Sequence, residues 1–167
     1  RGFCSGVAGC GKSLLIEALT IKLEEIYRGN DNKPRVVRLG PTGMASCNIN
    51  GMTLHKFAKL SVQKREGDSL QKPLNDCDTM ALRKANEKVE LDIIDEISMI
   101  SNINFAKLNH RLNQIHPIPA KFDEIDEIDD NWTTFGGKPM LLVGDLLQLQ
   151  PVAQPFIFKT VDHFMAQ

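Results

Sequence analysis

With 167 residues, 42% of them hydrophobic and only 6% aromatic, the chain has the size and make-up of a single α/β domain with an aliphatic core. No apolar run approaches the ~20 residues of a membrane span, which argues against a transmembrane protein. The net charge of −1, from 20 basic and 21 acidic side chains, argues on its own against a nucleic-acid binder.

That charge is unevenly spread. Phe122 to Asp130 holds six acids and no base, and the remainder carries 20 bases against 15 acids, a balance that permits local contact with DNA without requiring it. Residues 122–131 read as a solvated acidic insertion, with Phe122, Ile125 and Ile128 forming one weak helical stripe. Cys4, Cys10, Cys47 and Cys77 show neither C-x-x-C pairing nor metal-ligand spacing with the four histidines, so they read as reduced thiols of a nuclear, cytosolic or matrix compartment. Because Arg1 already stands in the first strand, the chain reads as a piece of a longer protein.

In chain order, Gly2-Phe3-Cys4-Ser5 is short and largely apolar, as a buried strand is. Gly6-Val7-Ala8-Gly9-Cys10-Gly11-Lys12-Ser13 follows and satisfies the pattern G-x-x-x-x-G-K-[ST] in full. Glycines at 6, 9 and 11 let the backbone turn tightly, so that successive N–H groups, those of Ala8 and Cys10 among them, point inward at phosphates. Lys12 adds a mobile positive charge, and Ser13 puts a hydroxyl on the Mg²⁺ that bridges the same phosphates. Cys10 reads as a small filler, with an oxidation-sensitive thiol as the alternative. Leu15, Leu19, Leu23 and Ile26 then fall at helical spacing.

Arg35 to Leu39 predicts a second strand, ending in the turn Pro41-Thr42-Gly43 at the edge where open α/β sheets bind ligands. Short helices are expected over Met44–Ile49 and Thr53–Leu60, the second capped by Thr53. Residues 61–76 are polar and read as a surface excursion; Asp78 or Thr79 caps a helix to about Lys88. Val89 to Ile94 predicts a strand that delivers Asp95-Glu96, and Ser101 or Asn102 opens a helix with Phe105, Leu108, Leu112 and Ile115 on one face, stopped by Pro117. Pro139 to Val143 predicts a fourth strand ending in Gly144-Asp145. Strands alternating with helices imply parallel pairing: an α/β fold of the phosphate-loop NTPase class, its parallel sheet flanked by helices.

The chemistry gathers at the strand ends. Asp95 follows an Ile- and Leu-rich strand, the setting of a second magnesium-holding carboxylate, and Glu96 can deprotonate the attacking water. Gly144-Asp145-Leu146-Leu147-Gln148 repeats the arrangement, with Asp145 and Gln148 placed toward the nucleotide and Gln148 able to bond the γ-phosphate. Plain capping is the alternative for Asp95-Glu96, a polar turn for Gln148, and ordinary packing for His55. Arg111 is assigned no role beyond a salt bridge across its helix.

Taken together and in order, the phosphate loop, Pro41-Thr42-Gly43-Met44-Ala45 with Thr53-Leu54-His55, Ile93-Ile94-Asp95-Glu96-Ile97-Ser98-Met99, and Phe135-Gly136-Gly137 before Gly144–Leu149 form a set. The set resembles PIF-type (petite integration frequency) superfamily-one DNA helicases, including the helicase regions of Helitron-type transposons, over about Gly2 to Val152. The resemblance implies that residues 1–167 are a single RecA-like first motor domain that binds ATP and Mg²⁺ and drives 5′-to-3′ movement on single-stranded DNA. It further implies a monomeric motor without membrane attachment, in repair, recombination or telomere maintenance, in the nucleus with the mitochondrion as alternative. By position, Lys12, Glu96 and Gln148 would be catalytic, Ser13 and Asp95 would hold the metal, and Thr42, Gly43, Thr53 and His55 would touch the DNA backbone. The sequence departs from the family at Lys56, Asp92 and Gln150. The family's adenine-contacting Gln and its second RecA-like domain, with an arginine finger, are expected outside this chain. An RNA-directed motor, an ATP-dependent clamp without turnover and a small-molecule kinase are the competing readings.

Overall fold

The computed structural model of the chain describes residues 1–28, 33–60, 73–116 and 134–149, together with 151, 155 and 157. The acidic insertion 122–131 and the polar stretch 61–72 lie outside them. The elements are β1 (Gly2–Ser5), α1 (Lys12–Ile26), β2 (Val36–Gly40), α2 (Gly43–Asn48), β3 (Met52–Thr53), α3 (Leu54–Phe57), α4 (Asp76–Asn86), β4 (Leu91–Ile94), α5 (Asn102–Ile115) and β5 (Met140–Gly144).

All five strands are parallel, in the order β1-β5-β4-β2-β3. Parallel strands need helical crossovers, and those crossovers cover both sheet faces, which is why β2, β4 and β5 are apolar on both sides. Period-two alternation sorts the side chains cleanly. Val37, Leu39, Ile94 and Met140 pack with Leu54, Phe57, Leu108, Leu112 and Ile115 of α3 and α5, whereas Val36, Ile93 and Val143 pack against Ile16 of α1. No described helix is long and apolar enough to cross a membrane.

Several elements differ from the expectation. β1 is an edge strand and mostly exposed, Phe3 at 48%, because it pairs with β5 alone among the described residues. The inward line of α1 is Ile16, Thr20 and Leu23, not the stripe through Leu15 and Ile26, which face solvent. The cap of α4 is Asn75, whose side chain accepts the Asp78 N–H at 2.7 Å, so the helix starts earlier than expected. A fifth strand, β3, went unread because two residues carry no periodicity.

Arg111 is a buried staple, not a surface ion pair. Its Nε donates to the Ala58 carbonyl at 2.8 Å and its Nη1 to Gln114, which in turn exchanges two hydrogen bonds with the Leu74 backbone. The chain after α3 and the chain before α4 are thereby tied to α5. The Phe135-Gly136-Gly137 turn is pinned to the same helix: Asn109 and Asn113 accept its N–H groups, and Phe135 packs on Phe105 at 4.9 Å between ring centroids. Replacing Arg111 by Met leaves the Ala58 carbonyl buried without a donor, and urea denaturation should show a loss of about 1–3 kcal/mol; an unchanged midpoint would refute the staple.

Asp92 interrupts apolar β4 and is 2% exposed, one carboxylate oxygen lacking any partner among the described residues. Burial pushes its acid up from 3.8 to about 7, with the Lys138 charge opposing. His116 goes the other way, held down from 6.5 to about 4 by burial, then by Lys138 and Arg83. Neutral Asp92 therefore contributes stability that is complete below its unfolded value of 3.8 and lost as pH rises toward 7. Neutral His116 contributes stability complete above 6.5 and lost as pH falls toward 4. The two slopes oppose each other in one window. Asp92→Asn should accordingly make stability climb from pH 4 to 6.5, and His116→Gln should make it fall from pH 4 to 7 by on the order of 2–4 kcal/mol; urea midpoints across that range decide, and two variants tracking the parent profile would count against both assignments.

Candidate nucleotide site at the carboxyl edge of the sheet

Because every strand runs the same way, the turns after β1, β5, β4 and β2 emerge side by side. The phosphate loop bends through left-handed Gly9 (φ 78°) and Gly11 (φ 90°), conformations that strain any residue with a Cβ. Gly11 is the N-cap of α1 and offers no side chain to its first N–H groups, and no acid stands in the first turn. Those donors and the positive helix end are left for an anion. Lys12 curls over the loop, its Nζ donating to the carbonyls of Gly6 at 2.6 Å and Val7 at 3.0 Å.

Two adjoining cavities occupy this edge. One, of about 370 Å³, is lined by Ala8, Gly9, Gly11, Lys12, Ser13, Asp95, Glu96 and Gln148. The other, of about 270 Å³, shares Ser13, Asp95, Glu96 and Gln148 and reaches Thr42, Met44, Ala45, Asn48, Met99 and Leu149. Lys12, Ser13, Asp95, Glu96 and Gln148, up to 136 positions apart in the chain, thus face common space.

Asp95 is buried at the end of β4, its N–H held by the Leu39 carbonyl at 2.9 Å. Burial raises its pKa, offset by the Glu96 N–H and the Lys12 charge, and its Oδ1 has no hydrogen-bond partner among the described residues. A buried carboxylate oxygen without a donor, in a cavity that Ser13 also lines, suits a hard cation that keeps part of its water. Glu96 sits in the left-handed region (φ 51°, ψ 47°), a strained conformation for a side chain that lines both cavities. Burial raises its pKa too, joined by the charge of Asp95, with Lys12 opposing and Asp145 adding to the rise.

Asp145, Gly6 and Cys10 do not line either cavity. The Asp145 carboxylate accepts the Leu147 N–H at 3.0 Å and its carbonyl the Gln148 N–H at 3.1 Å, so it shapes the turn that presents Gln148. Gly6 is anchored by its N–H to the Gly144 carbonyl at 3.1 Å, and the exposed Cys10 thiol lies against it.

The residues expected at DNA occupy the other half of the edge. Thr42 caps α2 and Thr53 caps α3, their hydroxyl oxygens accepting from Ala45 and Lys56 at 3.2 Å, an arrangement that leaves each O–H a donor. β3 pairs Thr53 with Gly40, which sets it beside the Thr42 turn. Gly43 opens α2, and half-buried His55 is held below its ordinary pKa by burial, then by Lys107. Only Thr42 of this group reaches the shared cavities. Met44 and Met99, which stand in the motif stretches without an assigned role, and Asn48, which stands in none, also line the second cavity.

The family model described as PIF1-like helicase matches residues 2–163. The chain is 33% identical over 152 residues to the ATP-dependent DNA helicase PIF1 of Emericella nidulans, covering 91% of this chain and 18% of that protein. It is 34% identical to that of Saccharomyces cerevisiae, again over 91% of this chain and 16% of the relative. Among solved structures, the Pif1 helicase from Bacteroides in complex with ADP-AlF3 and ssDNA superposes with a TM-score of 0.64 at 27% identity, over 92% of this chain and 30% of that one. The chain therefore spans less than a fifth of the length of these fungal relatives. With the helicase model matching from β1 past β5, and the RecA-like sheet shared with that bacterial structure, this chain belongs to the PIF1-like helicase family.

Proposed function

We propose that the chain is the first motor domain of a DNA helicase, hydrolysing ATP to drive 5′-to-3′ movement on single-stranded DNA and duplex unwinding. The observation that carries the reading is the convergence of Lys12, Ser13, Asp95, Glu96 and Gln148 on one cavity that continues to Thr42. The relatives' designation as ATP-dependent DNA helicases, and the nucleotide analogue and ssDNA of the bacterial complex, support the choice of ligands.

In this reading the N–H groups of the loop hold the β- and γ-phosphates, and Lys12 turns from its carbonyl partners to the phosphate oxygens. Ser13 and Asp95 would hold Mg²⁺, which would supply positive charge to the phosphate oxygens during hydrolysis. Glu96 takes the proton of the water that attacks the γ-phosphorus while the bond to the β-phosphate oxygen breaks and ADP becomes the leaving group. Gln148 donates its amide to the γ-phosphate and so distinguishes ATP from ADP. Thr42 and Thr53 give hydroxyl protons, and Gly43 and His55 their N–H groups, to successive phosphates of one strand, a contact that ignores base identity as a motor requires. A second RecA-like domain of the same protein closes the cleft and supplies an arginine to the transition state. Work on chromosomal DNA in repair, recombination or telomere maintenance, in the nucleus, completes the proposal.

The test is steady-state ATP turnover of the full-length protein with single-stranded DNA, with RNA and with neither. DNA should raise turnover at least about tenfold and RNA should not. Lys12→Ala should weaken Mg·ATP binding, and Glu96→Gln should bind ATP as the parent does while kcat drops about 10²–10⁴-fold. Without an arginine from a second domain the chain alone should be slower by ~10³–10⁵. Turnover indifferent to both polymers would rule out the motor reading.

A further inference from the structure

Gly144 touches three pieces of the site at once. It ends β5, pairs with Ser5 of β1, and its carbonyl receives the Gly6 N–H at 3.1 Å where the phosphate loop begins. On its other side a Cβ would stand 2.9 Å from the Ile97 nitrogen and 3.0 Å from Ile97 Cγ2, with the Glu96 carbonyl carbon at 3.6 Å. Its next neighbour, Asp145, shapes the turn bearing Gln148. Gly144 is not in the left-handed region, so what excludes a side chain is space and not backbone conformation.

We propose that Gly144 is a positioning residue that sets the distance between the phosphate loop and Glu96, an inference that rests on Glu96 being the base. The approach works because β5 lies between β1 and β4, so the end of β5 is the only backbone in register with both turns among the described strands. A methyl group at 144 must move the Ile97 nitrogen, and with it the peptide that follows Glu96. That turn already holds Glu96 in a sparsely populated conformation and has little freedom to absorb the push without moving the carboxylate. On the loop side Gly144 is joined to Gly6 through its carbonyl, a hydrogen bond that an added methyl leaves in place, and none of the atoms that crowd the methyl belongs to the loop. Binding and turnover should therefore separate.

The experiment measures ATP affinity with a fluorescent nucleotide and DNA-stimulated turnover in the full-length protein. Gly144→Ala should keep its ATP Kd within about threefold of the parent while kcat falls about 10- to 100-fold, the scale expected of a misplaced reacting group. In the Glu96→Gln background the same substitution should cost no further turnover, because the group it displaces is already disabled. Ile97→Ala, which removes one of the two tight contacts, should return part of the lost kcat to Gly144→Ala, and this double variant carries the measurement if the single one does not fold. Affinity and turnover falling together, or additive losses with Glu96→Gln, would overturn the inference. Parent-like turnover in Glu96→Gln itself would instead remove the base assignment on which it rests.

Discussion

The insertion of β5 between the strand that enters the phosphate loop and the strand that carries Asp95 is the constraint from which the site follows. Neighbouring parallel strands stand about 4.8 Å apart, so separating β1 from β4 by one strand opens roughly 10 Å between the loop and the acids. The turn after β5 reaches this gap, where Gln148 lines both cavities. Main-chain hydrogen bonding alone fixes the spacing, through Ser5 opposite Gly144 and Ile94 opposite Leu142.

Electrostatics gives the gap its appetite for ligand. Asp95, Glu96 and Asp145 come together within a partly buried edge, and their mutual repulsion and desolvation lift Glu96 while burial lifts Asp95. Lys12 is the opposing charge named in both shifts, and it spends its donors on loop carbonyls. A triphosphate alone would add negative charge to this edge and be repelled by it. In the proposed function a triphosphate accompanied by a divalent cation would bring both charges at once, the anion suited to the loop and the uncapped start of α1, the cation to the unpartnered oxygen of Asp95. The anion that these acids would repel and the cation that they would attract thus complement the site when they arrive together.

The phosphate loop, the paired acids and the family were legible in the sequence because each chemical role there demands a particular residue at a particular spacing. The strand order was not legible: β2, β4 and β5 are all apolar on both faces, and nothing in such strands says which lies beside which. Helix ends were read to within a few residues, and the miss at α4 has a plain cause, since Asn75, Asp76, Asp78 and Thr79 are all residues that can cap and only geometry chooses among them. On α1 the Leu stripe drew attention from Ile16 and Thr20, whose inward direction depends on where the loop lets the helix start. Arg111 was opaque for a different reason: its Nε reaches the backbone carbonyl of Ala58, 53 positions away, a group that every residue owns and no sequence displays.

Thr42 joins the two halves of the edge, and its geometry resolves a conflict between structure and function. A residue that caps a helix is committed by its oxygen, and a residue that grips a phosphate is committed by its proton; a hydroxyl is one of the few groups that does both. Asp or Asn would cap α2 as well, but Asp would repel a phosphate and Asn would have to orient a bulkier amide against it. Threonine at 42 and at 53 therefore fixes two short helices, of six and four residues, whose own hydrogen bonds are too few to hold them, while leaving each hydroxyl a donor. Because Thr42 also lines the cavity shared by Glu96 and Gln148, in the proposed function a change in the γ-phosphate and a change in strand position would act on the same turn. Chemistry at one side of β2 and grip at the other would thus be linked through a single capped helix start rather than through a long chain of side chains.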